Sequence, residues 1–434
     1  MNKAKKMENS GQFSVQSLKG NKISWYYHAE LARLIKFIIP QRKSVLEISE
    51  DLQSLELNEK FDYVIISDLI GHLPDVWQTF RELRKVTDYN SRIVVTYYNY
   101  LWDPLIRLAE IVGLKKKQHH QNWLSLVSIE NILNLNGYEV IRKGRRMLFP
   151  VYIPLFSTLI NRFLSRMPII NRLCLIEYLV AEQKSDNVIE QNNKFSCSVI
   201  IPCKNESGNI EGAVLRTPDM GRHTELIFVD GNSTDGTVEK IEGLIRKFSG
   251  IKDIKLIHQG SGKGNGDAVR KGFAAASGDI LIILDADLTV PPEDLPKFYA
   301  ALAEGRGQFT NGTRLIYPME KEAMRFLNKI ANALFGMIFT WLLGQRITDT
   351  LCGTKALFKK DYLEIEKGRG YFGNFDPFGD FDLLFGASKA NLKIVEIPIR
   401  YKQRVYGEVK IERFKHGLLL LRMSLIAFNK FKLS

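Results

Sequence analysis

The sequence predicts an α/β protein with two domains, from its composition, one polar segment and the pattern of its apolar segments. The chain has 434 residues, of which 45% are hydrophobic and 25% charged, and these are ordinary globular proportions. At roughly 150 residues per domain, this length allows two or three domains. Residues 184–194 (KSDNVIEQNNK) are polar and lack apolar periodicity. We therefore expect a linker between a domain over residues 20–183 and a domain over residues 195–434.

The second domain alternates short apolar segments with helical stretches. The apolar segments are residues 198–202 (SVIIP), 226–230 (LIFVD), 254–258 (IKLIH) and 280–285 (ILIILD). Buried strands spaced by helices are typical of a mostly parallel sheet that is covered on both faces. In such a sheet ligands bind at the carboxyl ends of the strands, so the residues that follow each strand are the candidates for a functional site.

Polar residues follow three of these strands. Asn205 and Glu206 follow the first strand, Asp230 ends the second, and Asp285 and Asp287 stand two positions apart at the end of the fourth. Carboxylates at that spacing suit Mg²⁺ or Mn²⁺ bridging a diphosphate, and the cation would remove the repulsion between the two charges. A D-x-D pair is also common in solvated turns, so the pair alone does not decide between these interpretations.

A glycine-rich segment, residues 262–266 (GKGNG), precedes a helix that begins near Asp267. Glycine lets a backbone approach a phosphate closely, and Lys263 would supply positive charge there. We expect Lys263 to contact a bound donor, although a simple turn would have the same composition.

Taken in order, four segments resemble the inverting family 2 glycosyltransferases, in particular the dolichyl-phosphate mannose or glucose synthase branch. The segments are SVIIPCKNE, LIFVDGNSTDGT, GKGNGDAVRKGFAAASGD and ILIILDADLTVPP. The resemblance covers about residues 195–417 and implies a GT-A fold, in which a nucleotide-binding α/β half precedes an acceptor half. It also implies that Pro202, Asn205 and Glu206 border the nucleotide of a nucleotide-sugar donor.

The same resemblance assigns the acidic residues. Asp230 would contact the base, Asp285 would also contact the donor diphosphate, and Asp285 and Asp287 would hold Mg²⁺ or Mn²⁺. Near these acidic residues the sequence departs from the family pattern twice: Gly231 stands where a second aspartate is usual, and Thr289 stands where the polyprenol branch often has glutamine. The identities of the donor and the acceptor therefore stay open.

Three cations lie in later segments that also resemble the family. Arg314 ends NGTR, and Arg404 and Lys410 lie in VEIPIRYKQRVYGEVK, which resembles the segment E-V-P-I…R-x-x-G-x-S-K with Val409 in place of its serine. By that match the three cations would bind the acceptor phosphate or the donor diphosphate. Arginine suits the role because its planar fork matches phosphate oxygens. Surface salt bridges are the alternative explanation.

A further acidic segment, DPFGDFDLLFGA, stands where many family members have a general base, and its candidates are Asp380 and Asp382. A sugar hydroxyl acceptor needs a carboxylate to take its proton. A lipid phosphate is already ionised and needs no base, so in that case the aspartates would only orient groups. Both acceptor classes, a lipid phosphate and a glycan, stay open.

The first half resembles a degenerate class I S-adenosylmethionine-dependent methyltransferase, with a truncated Rossmann-like fold. Residues 44–48 (SVLEI), 61–68 (FDYVIISD) and 91–97 (SRIVVTY) resemble its first, fourth and next strands. Each βαβ unit takes about 30 residues, but only residues 49–60 separate the first two segments. The glycine-rich loop is absent, and no strand is left to carry the acidic residue that would hold the cofactor ribose. We expect no S-adenosylmethionine binding.

Charge and apolar segments suggest a membrane surface as a partner. Lys and Arg exceed Asp and Glu by 13, which suits an anionic partner. Residues 330–345 and 418–428 are apolar but fall short of the ~20 residues that span a bilayer, so they are either interfacial helices or core helices. Residues 149–179 are apolar with interspersed arginines and form either an interfacial segment or a bridge between the domains.

The lysine run at residues 115–117 lacks interleaved aromatic residues, so we expect the protein to bind no nucleic acid.

Together these features predict a metal-dependent inverting glycosyltransferase. It would move a sugar from a nucleotide sugar to a polyprenyl phosphate or another cell-envelope acceptor. Four cysteines without a CxxC pair form no disulfide framework, which favours a cytoplasmic location of the protein. The enzyme would be peripheral on the inner face of the plasma membrane. The alternatives are a bifunctional methyltransferase and glycosyltransferase, or a non-catalytic scaffold. The retained D-x-D pair, glycine loop and basic tail favour the transferase.

Overall fold

The structure is a computed structural model, and it describes residues 4–7, 22–48, 59–73, 75–112, 124–184, 194–262, 264–314, 326–371, 379–404, 406 and 413–433. The chain divides into two compact units. The first comprises Met1–Lys184 with Phe431–Ser434, and the second comprises Ser185–Lys430. Most of the linker predicted over residues 184–194 lies outside the described residues. The last four residues group with the first unit, whereas the sequence had placed them in the second domain.

The first unit contains a six-stranded sheet in the order β1-β2-β3-β4-β6-β5. Its strands are β1 (Ala4–Met7), β2 (Val45–Ile48), β3 (Tyr63–Ser67), β4 (Arg92–Tyr98), β5 (Tyr138–Arg146) and β6 (Ile176–Gln183). Strands β2, β3 and β4 are parallel neighbours, and the other pairings are antiparallel. The centre of β3 is Val64, Ile65 and Ile66, all fully buried, as expected for a parallel strand covered on both faces.

The strands predicted in this unit are present as β2, β3 and β4, and β2 pairs directly with β3. The resemblance to methyltransferases stays a prediction. The helices are α1 (Lys22–Ile38), α2 (Val76–Glu82), α3 (Asp103–Ile111), α4 (Leu126–Leu135) and α5 (Phe156–Arg162). Short 3-10 helices occur at Ile70–His72, Leu83–Lys85, Tyr100–Trp102, Leu164–Arg166 and Ile170–Leu173.

The second unit contains a seven-stranded sheet in the order β13-β11-β12-β10-β7-β8-β9. Its strands are β7 (Cys197–Cys203), β8 (Thr224–Asp230), β9 (Asp253–His258), β10 (Ile280–Ile283), β11 (Phe309–Thr313), β12 (Lys355–Phe358) and β13 (Ile394–Pro398). Strands β10, β7, β8 and β9 run parallel, and β12 is antiparallel to β10 and β11. The four strands predicted for this unit are confirmed, and the carboxyl ends of β7, β8 and β10 meet at one edge.

Eight helices described in the second unit accompany this sheet. They are α6 (Ser207–Arg216), α7 (Thr237–Lys247), α8 (Asn265–Ala275), α9 (Leu295–Ala303), α10 (Phe326–Leu343), α11 (Lys359–Gly368), α12 (Asp380–Lys389) and α13 (Arg413–Ala427). Two 3-10 helices lie at Pro292–Asp294 and Arg369–Tyr371, and a π-helix follows α13 at Phe428–Lys432. Among the helices that the structure describes, none is long and apolar enough to cross a bilayer.

The two apolar segments of interest in this unit form α10 and α13, and each helix has a buried side and an exposed apolar side. Phe339 and Met423 are fully buried, whereas Met337, Leu418 and Leu425 are each more than 60% exposed. An open apolar groove runs between the two helices. Each helix thus has a buried side, and the interfacial interpretation of the exposed apolar sides stays a prediction.

Candidate functional site

The loops after β7 and β8 are joined by hydrogen bonds at the predicted edge of the sheet. The backbone N–H of Asn205 donates to Ser233 Oγ over 2.9 Å, and Asn205 Oδ1 accepts from the N–H of Thr234 over 2.8 Å. The N–H of Glu206 donates to Thr237 Oγ1 over 3.0 Å. Asn205 has a φ of 54°, a left-handed conformation that asparagine tolerates better than most residues. These contacts fix the backbone that carries Glu206.

Asp230 is buried at the end of β8 and caps the loop that follows it. Its carboxylate accepts hydrogen bonds from the N–H groups of Asn232 at 3.1 Å and Ser233 at 3.3 Å, and its Oδ2 lies 3.9 Å from His258 Nδ1. Asp230 therefore shapes the loop beside the site. Its contact with a base stays a prediction.

Asp285 and Asp287 lie just beyond β10, on a turn held by the second of them. Asp287 Oδ1 accepts hydrogen bonds from the N–H of Thr289 over 3.1 Å and from Thr289 Oγ1 over 2.9 Å. Position 353 is glycine, and a Cβ there would collide with the Asp285 carboxylate. Both carboxylates therefore occupy defined places at the carboxyl end of a central strand.

Arg404 joins the D-x-D turn to the loop after β7. Its Nη2 donates to Asp287 Oδ2 over 2.8 Å and lies 3.4 Å from Glu206 Oε1. Burial alone would lower the pKa of Arg404, but the two carboxylates outweigh it and raise that pKa above its usual value. Glu206 is buried and also accepts from Asn209 Nδ2 over 2.8 Å. The structure thus brings together three predicted site residues from distant parts of the chain.

Arg314 makes a buried two-point ion pair with Asp349, a partner that the sequence analysis missed. Its Nε donates to Asp349 Oδ2 over 2.7 Å, and its Nη2 donates to Oδ1 over 2.8 Å. Asn332 Nδ2 donates to the same carboxylate over 2.8 Å. Burial would raise the pKa of Asp349, but Arg314 outweighs burial and lowers that pKa. The role of Arg314 in binding an acceptor phosphate stays a prediction.

Tyr401 is a second residue that the sequence analysis missed, and it lies between Arg314 and the D-x-D turn. The Arg314 guanidinium carbon is 5.1 Å from the centre of the Tyr401 ring, and the Tyr401 hydroxyl is hydrogen-bonded to Thr289. Burial raises the pKa of Tyr401 above its usual value. No motif marks this tyrosine, because its place depends on the path of the chain after β13.

Asp382 lies on α12 and faces two arginines. Its Oδ2 is 2.9 Å from Arg369 Nη2 and 3.8 Å from Arg270 Nη1. Burial raises the pKa of Asp382, although both arginines oppose the shift. The residues that surround it also line a small pocket that includes Gly266, at the start of α8.

Three predicted site residues cannot be placed in this arrangement. Lys263, Lys410 and the side chain of Asp380 lie outside the described residues. Pro202 is in β7, one residue before its end. In the described part of the chain, His, Cys, Asp and Glu side chains form no group of three or more that could hold a metal ion.

A mostly parallel sheet with polar side chains at the carboxyl ends of its strands defines a nucleotide-binding type of α/β domain. Comparison with known proteins agrees: residues 198–365, within the second unit, match the family Glycosyl transferase family 2. A dolichol-phosphate mannosyltransferase of Mycosarcoma maydis is 30% identical over 241 residues, which are 50% of this chain and 74% of the relative. The chain therefore belongs to glycosyl transferase family 2.

Two further relatives are also dolichol-phosphate mannosyltransferases. That of Saccharomyces cerevisiae is 40% identical over 122 residues, 27% of this chain and 44% of the relative. That of Pyrococcus furiosus is 32% identical over 220 residues, 50% of this chain and 59% of the relative. The chain thus spans about half the length of these two relatives. Among solved structures, glucosyl-3-phosphoglycerate synthase of Mycobacterium tuberculosis is similar with a TM-score of 0.40 and 19% identity, over 56% of this chain and 81% of that one.

Proposed function

We propose that the second unit transfers a sugar from a nucleotide sugar to a polyprenyl phosphate, with inversion at the anomeric carbon. The observation that carries the proposal is the cluster of Glu206, Asp285, Asp287 and Arg404 at the carboxyl ends of β7 and β10. The names of the three relatives support a polyprenyl-phosphate acceptor.

Asp285 and Asp287 would hold a divalent cation, Mg²⁺ or Mn²⁺. The donor set fits, because Mg²⁺ is usually bound through one or two carboxylates together with substrate phosphates, without a complete protein cage. When bound, the cation would neutralise charge on the leaving nucleoside diphosphate. The close approach of the Asp285 carboxylate to Gly353, where a Cβ would not fit, supports this assignment.

Arg404 would bind the donor diphosphate. Its guanidinium already lies between the carboxylates of Asp287 and Glu206, and a planar fork of donors suits phosphate oxygens. On donor binding we expect Arg404 to exchange one carboxylate contact for a diphosphate contact. Lys263 and Lys410 would add positive charge at the donor and the acceptor phosphate, respectively.

The remaining nucleotide contacts would come from the loops after β7 and β8. Pro202, Asn205 and Glu206 would border the nucleotide, because they lie at the carboxyl end of the strand next to β10. Asp230 holds the adjoining loop through Asn232 and Ser233, and we place the base beside it.

An acceptor phosphate oxygen would attack the anomeric carbon as the nucleoside diphosphate leaves from the opposite face. This reaction needs no general base, because a lipid phosphate is already ionised. Arg369 and Arg270 hold the Asp382 carboxylate from two sides, which suits a role in positioning groups. Asp380 and Asp382 would then orient groups beside α8, and Arg314 would contribute to acceptor binding through its position next to Tyr401.

For the first unit we propose a degenerate methyltransferase-like domain that does not bind S-adenosylmethionine. The antiparallel pairing of β1 with β2 supports this interpretation, because a complete Rossmann-like sheet has its second parallel strand on that side of the first strand. We further propose that the protein acts at the cytoplasmic face of a membrane, where the acceptor lipid resides. The exposed apolar sides of α10 and α13 support that location.

A two-part assay tests the proposed transfer. Purified full-length protein is incubated with Mn²⁺ or Mg²⁺ and a panel of nucleotide sugars, and release of the nucleoside diphosphate identifies the donor. A short-chain polyprenyl phosphate or a panel of soluble glycans is then added, and the product is identified by mass spectrometry. We expect a glycosyl-phosphoryl-polyprenol. A product formed only on a glycan hydroxyl would assign the glycan class instead and would restore Asp380 or Asp382 as a base.

A further inference from the structure

A stretch of the first unit carries many apolar side chains and no acidic ones. Residues 147–176 contain three arginines and neither aspartate nor glutamate. Within this stretch, α5 and the 3-10 helices Leu164–Arg166 and Ile170–Leu173 follow one another. Eleven large apolar side chains are exposed there: Val151, Tyr152, Ile153, Leu155, Phe156, Leu159, Phe163, Leu164, Met167, Ile169 and Leu173. We call these eleven side chains the apolar face. A contiguous apolar face of this kind marks an interaction site, whereas scattered exposed apolar residues do not.

The side of this segment that faces the interior is polar. Ser157 and Ser165 are fully buried, and Asn161 and Arg166 are only 4% and 7% exposed. Ser157, Asn161 and Ser165 are spaced four residues apart, so their side chains follow one side of a helical path. A helix on a water-facing surface has the opposite arrangement, with its apolar side inward. The amphipathic character of α5 is therefore inverted.

The inward side chains of Ser157, Asn161 and Ser165 are hydrogen-bonded and hold the segment in this orientation. Asn161 Oδ1 accepts from the N–H groups of Leu148 and Phe149 over 2.8 and 2.9 Å. Asn161 Nδ2 donates to the Phe149 carbonyl over 2.7 Å and to Tyr26 Oη over 3.0 Å. Ser157 Oγ bonds to two backbone groups, four and six residues before it. Rotating α5 to bury its apolar side would break these hydrogen bonds. The bonds therefore stabilise the orientation in which the apolar side chains point outward.

The two most exposed residues of the apolar face lie at the centres of γ-turns with positive φ. Leu155 is 80% exposed with a φ of 64° and a ψ of −50°, and Ile169 is 77% exposed with a φ of 74° and a ψ of −59°. This conformation is unusual for bulky residues, and such local strain is characteristic of functional positions. Both residues lie directly before a helix, so each one ends a turn with an apolar side chain directed outward.

Neighbouring elements extend the apolar face. Trp102 Nε1 donates to the Leu173 carbonyl over 2.8 Å, and Asn99 Nδ2 donates to the Arg172 carbonyl over 2.8 Å. These bonds fix α3 beside the segment, and α3 exposes Leu105, Leu108 and Ile111. On another side Trp25, which is 42% exposed, packs edge-to-face on Tyr152 with ring centres 5.6 Å apart. Tryptophan and tyrosine at the margin of an apolar surface are typical of membrane interfaces.

We propose that the apolar face, with the exposed side of α3, docks the first unit on an anionic lipid surface. Charge favours lipid over a protein partner, because Arg162 and Arg172 are exposed among the apolar residues and the stretch has no acidic side chain. Interfacial segments combine this apolar and cationic character, and anionic headgroups attract such cations. The docking surface belongs to a unit without a part in the proposed transfer chemistry, and it rests on the proposed function only in sharing its membrane location.

Flotation of the full-length protein with liposomes tests this proposal. The variant Leu155→Asn/Leu159→Gln/Ile169→Asn removes three exposed apolar side chains. The matched control is Leu215→Gln/Ile251→Asn/Leu363→Gln, at three residues that are exposed in the second unit. Circular dichroism and the thermal midpoint confirm that each variant is folded.

We expect the wild-type protein and the control to float with vesicles that contain 30% phosphatidylserine. Added salt should reduce binding only in part, because the apolar contribution is not screened. The triple variant should bind at least about tenfold more weakly. Three outcomes would overturn the proposal: no flotation of the wild type, equal flotation of the triple variant, or equal binding to vesicles of phosphatidylcholine alone. Transfer to a water-soluble acceptor, measured in parallel, would report on the proposed function separately.

Discussion

At the scale of single residues, the ion pair between Arg314 and Asp349 stabilises the fold at the end of β11. Asp349 is fully buried, and Arg314 is almost so, so removing the negative charge leaves an arginine without compensation in the interior. We predict that Asp349→Asn lowers the free energy of unfolding by about 3–5 kcal/mol, measured by urea denaturation. The control Asp253→Asn removes a partly exposed carboxylate beside the exposed His223 and should change stability by less than about 1 kcal/mol. Equal stability of the two variants would contradict the prediction.

A buried carboxylate on β8 makes stability depend on pH. Glu225 accepts hydrogen bonds from Lys255, Ser198 and Ser277. Burial opposes its ionisation, but these bonds outweigh burial and lower the pKa of Glu225 from 4.5 to about 2. The folded protein thus binds this proton less tightly than the unfolded chain does. The stabilisation is present above pH 4.5 and is lost as the pH falls towards 2.

We therefore predict that Glu225→Gln destabilises the protein by about 2–3 kcal/mol at pH 7. The difference from wild type should narrow as the pH falls below 4.5, in urea denaturation at a series of pH values. Glu364→Gln, at an exposed residue paired with Lys367, serves as the control. A difference that stays constant from pH 7 to pH 3 would show that the charge of Glu225 is not the cause.

The sequence predicted the neighbours of site residues where the order of strands brings them together. It missed the neighbours that depend on how helices and loops pack. Asp287 and Glu206 were expected at one edge because each follows a central strand of a parallel sheet. The partnership of Arg314 with Asp349 spans 35 residues in sequence, and that of Asp382 with Arg270 spans more than 100. Such pairs depend on how helices and loops pack in three dimensions, which no local spacing specifies.

At the scale of elements, apolar segments predicted strands well and helix faces poorly. The four strand segments of the second unit appear as β7, β8, β9 and β10, because a run of β-branched residues between turns has few alternative structures. For α10 and α13 the sequence left both a core and an interfacial interpretation open. Each helix has a buried side and an exposed apolar side, and its contact with a membrane stays a prediction. For the region of α5 the sequence showed only that an apolar segment carries interspersed arginines, and it did not show which side chains are exposed. The outward direction of its apolar side chains depends on hydrogen bonds of Ser157 and Asn161 that only the structure shows.

The antiparallel pairing of β1 with β2 leads to a prediction about cofactor binding. Because a complete Rossmann-like sheet has its second parallel strand at that place, we expect isothermal titration calorimetry to show no saturable binding of S-adenosylmethionine up to millimolar concentrations. Titration with the nucleotide-sugar donor provides the control that the same preparation is active. A saturable isotherm with S-adenosylmethionine would contradict the interpretation and would mean that other segments rebuild the cofactor site.

At the scale of the whole molecule, the two units divide the proposed work. The second unit carries the sheet edge with Asp285, Asp287 and Arg404, and the first unit carries the apolar face. A chain in which Lys and Arg exceed Asp and Glu by 13 would be drawn to anionic membranes, where a polyprenyl phosphate is found. Membrane docking would then raise the local concentration of the acceptor for the transferase without contributing to its chemistry.

The most direct test of the central claim compares sugar transfer by three proteins in the presence of Mn²⁺ or Mg²⁺. The proteins are the wild type, Asp287→Asn and the control Asp219→Asn, which alters an exposed aspartate of the same unit. Formation of the glycosylated polyprenyl phosphate is measured with and without excess EDTA. We predict that Asp287→Asn and EDTA each lower the rate at least about a hundredfold, while Asp219→Asn retains wild-type activity and all three proteins stay folded. Full activity of Asp287→Asn, or of the wild type in EDTA, would contradict the account.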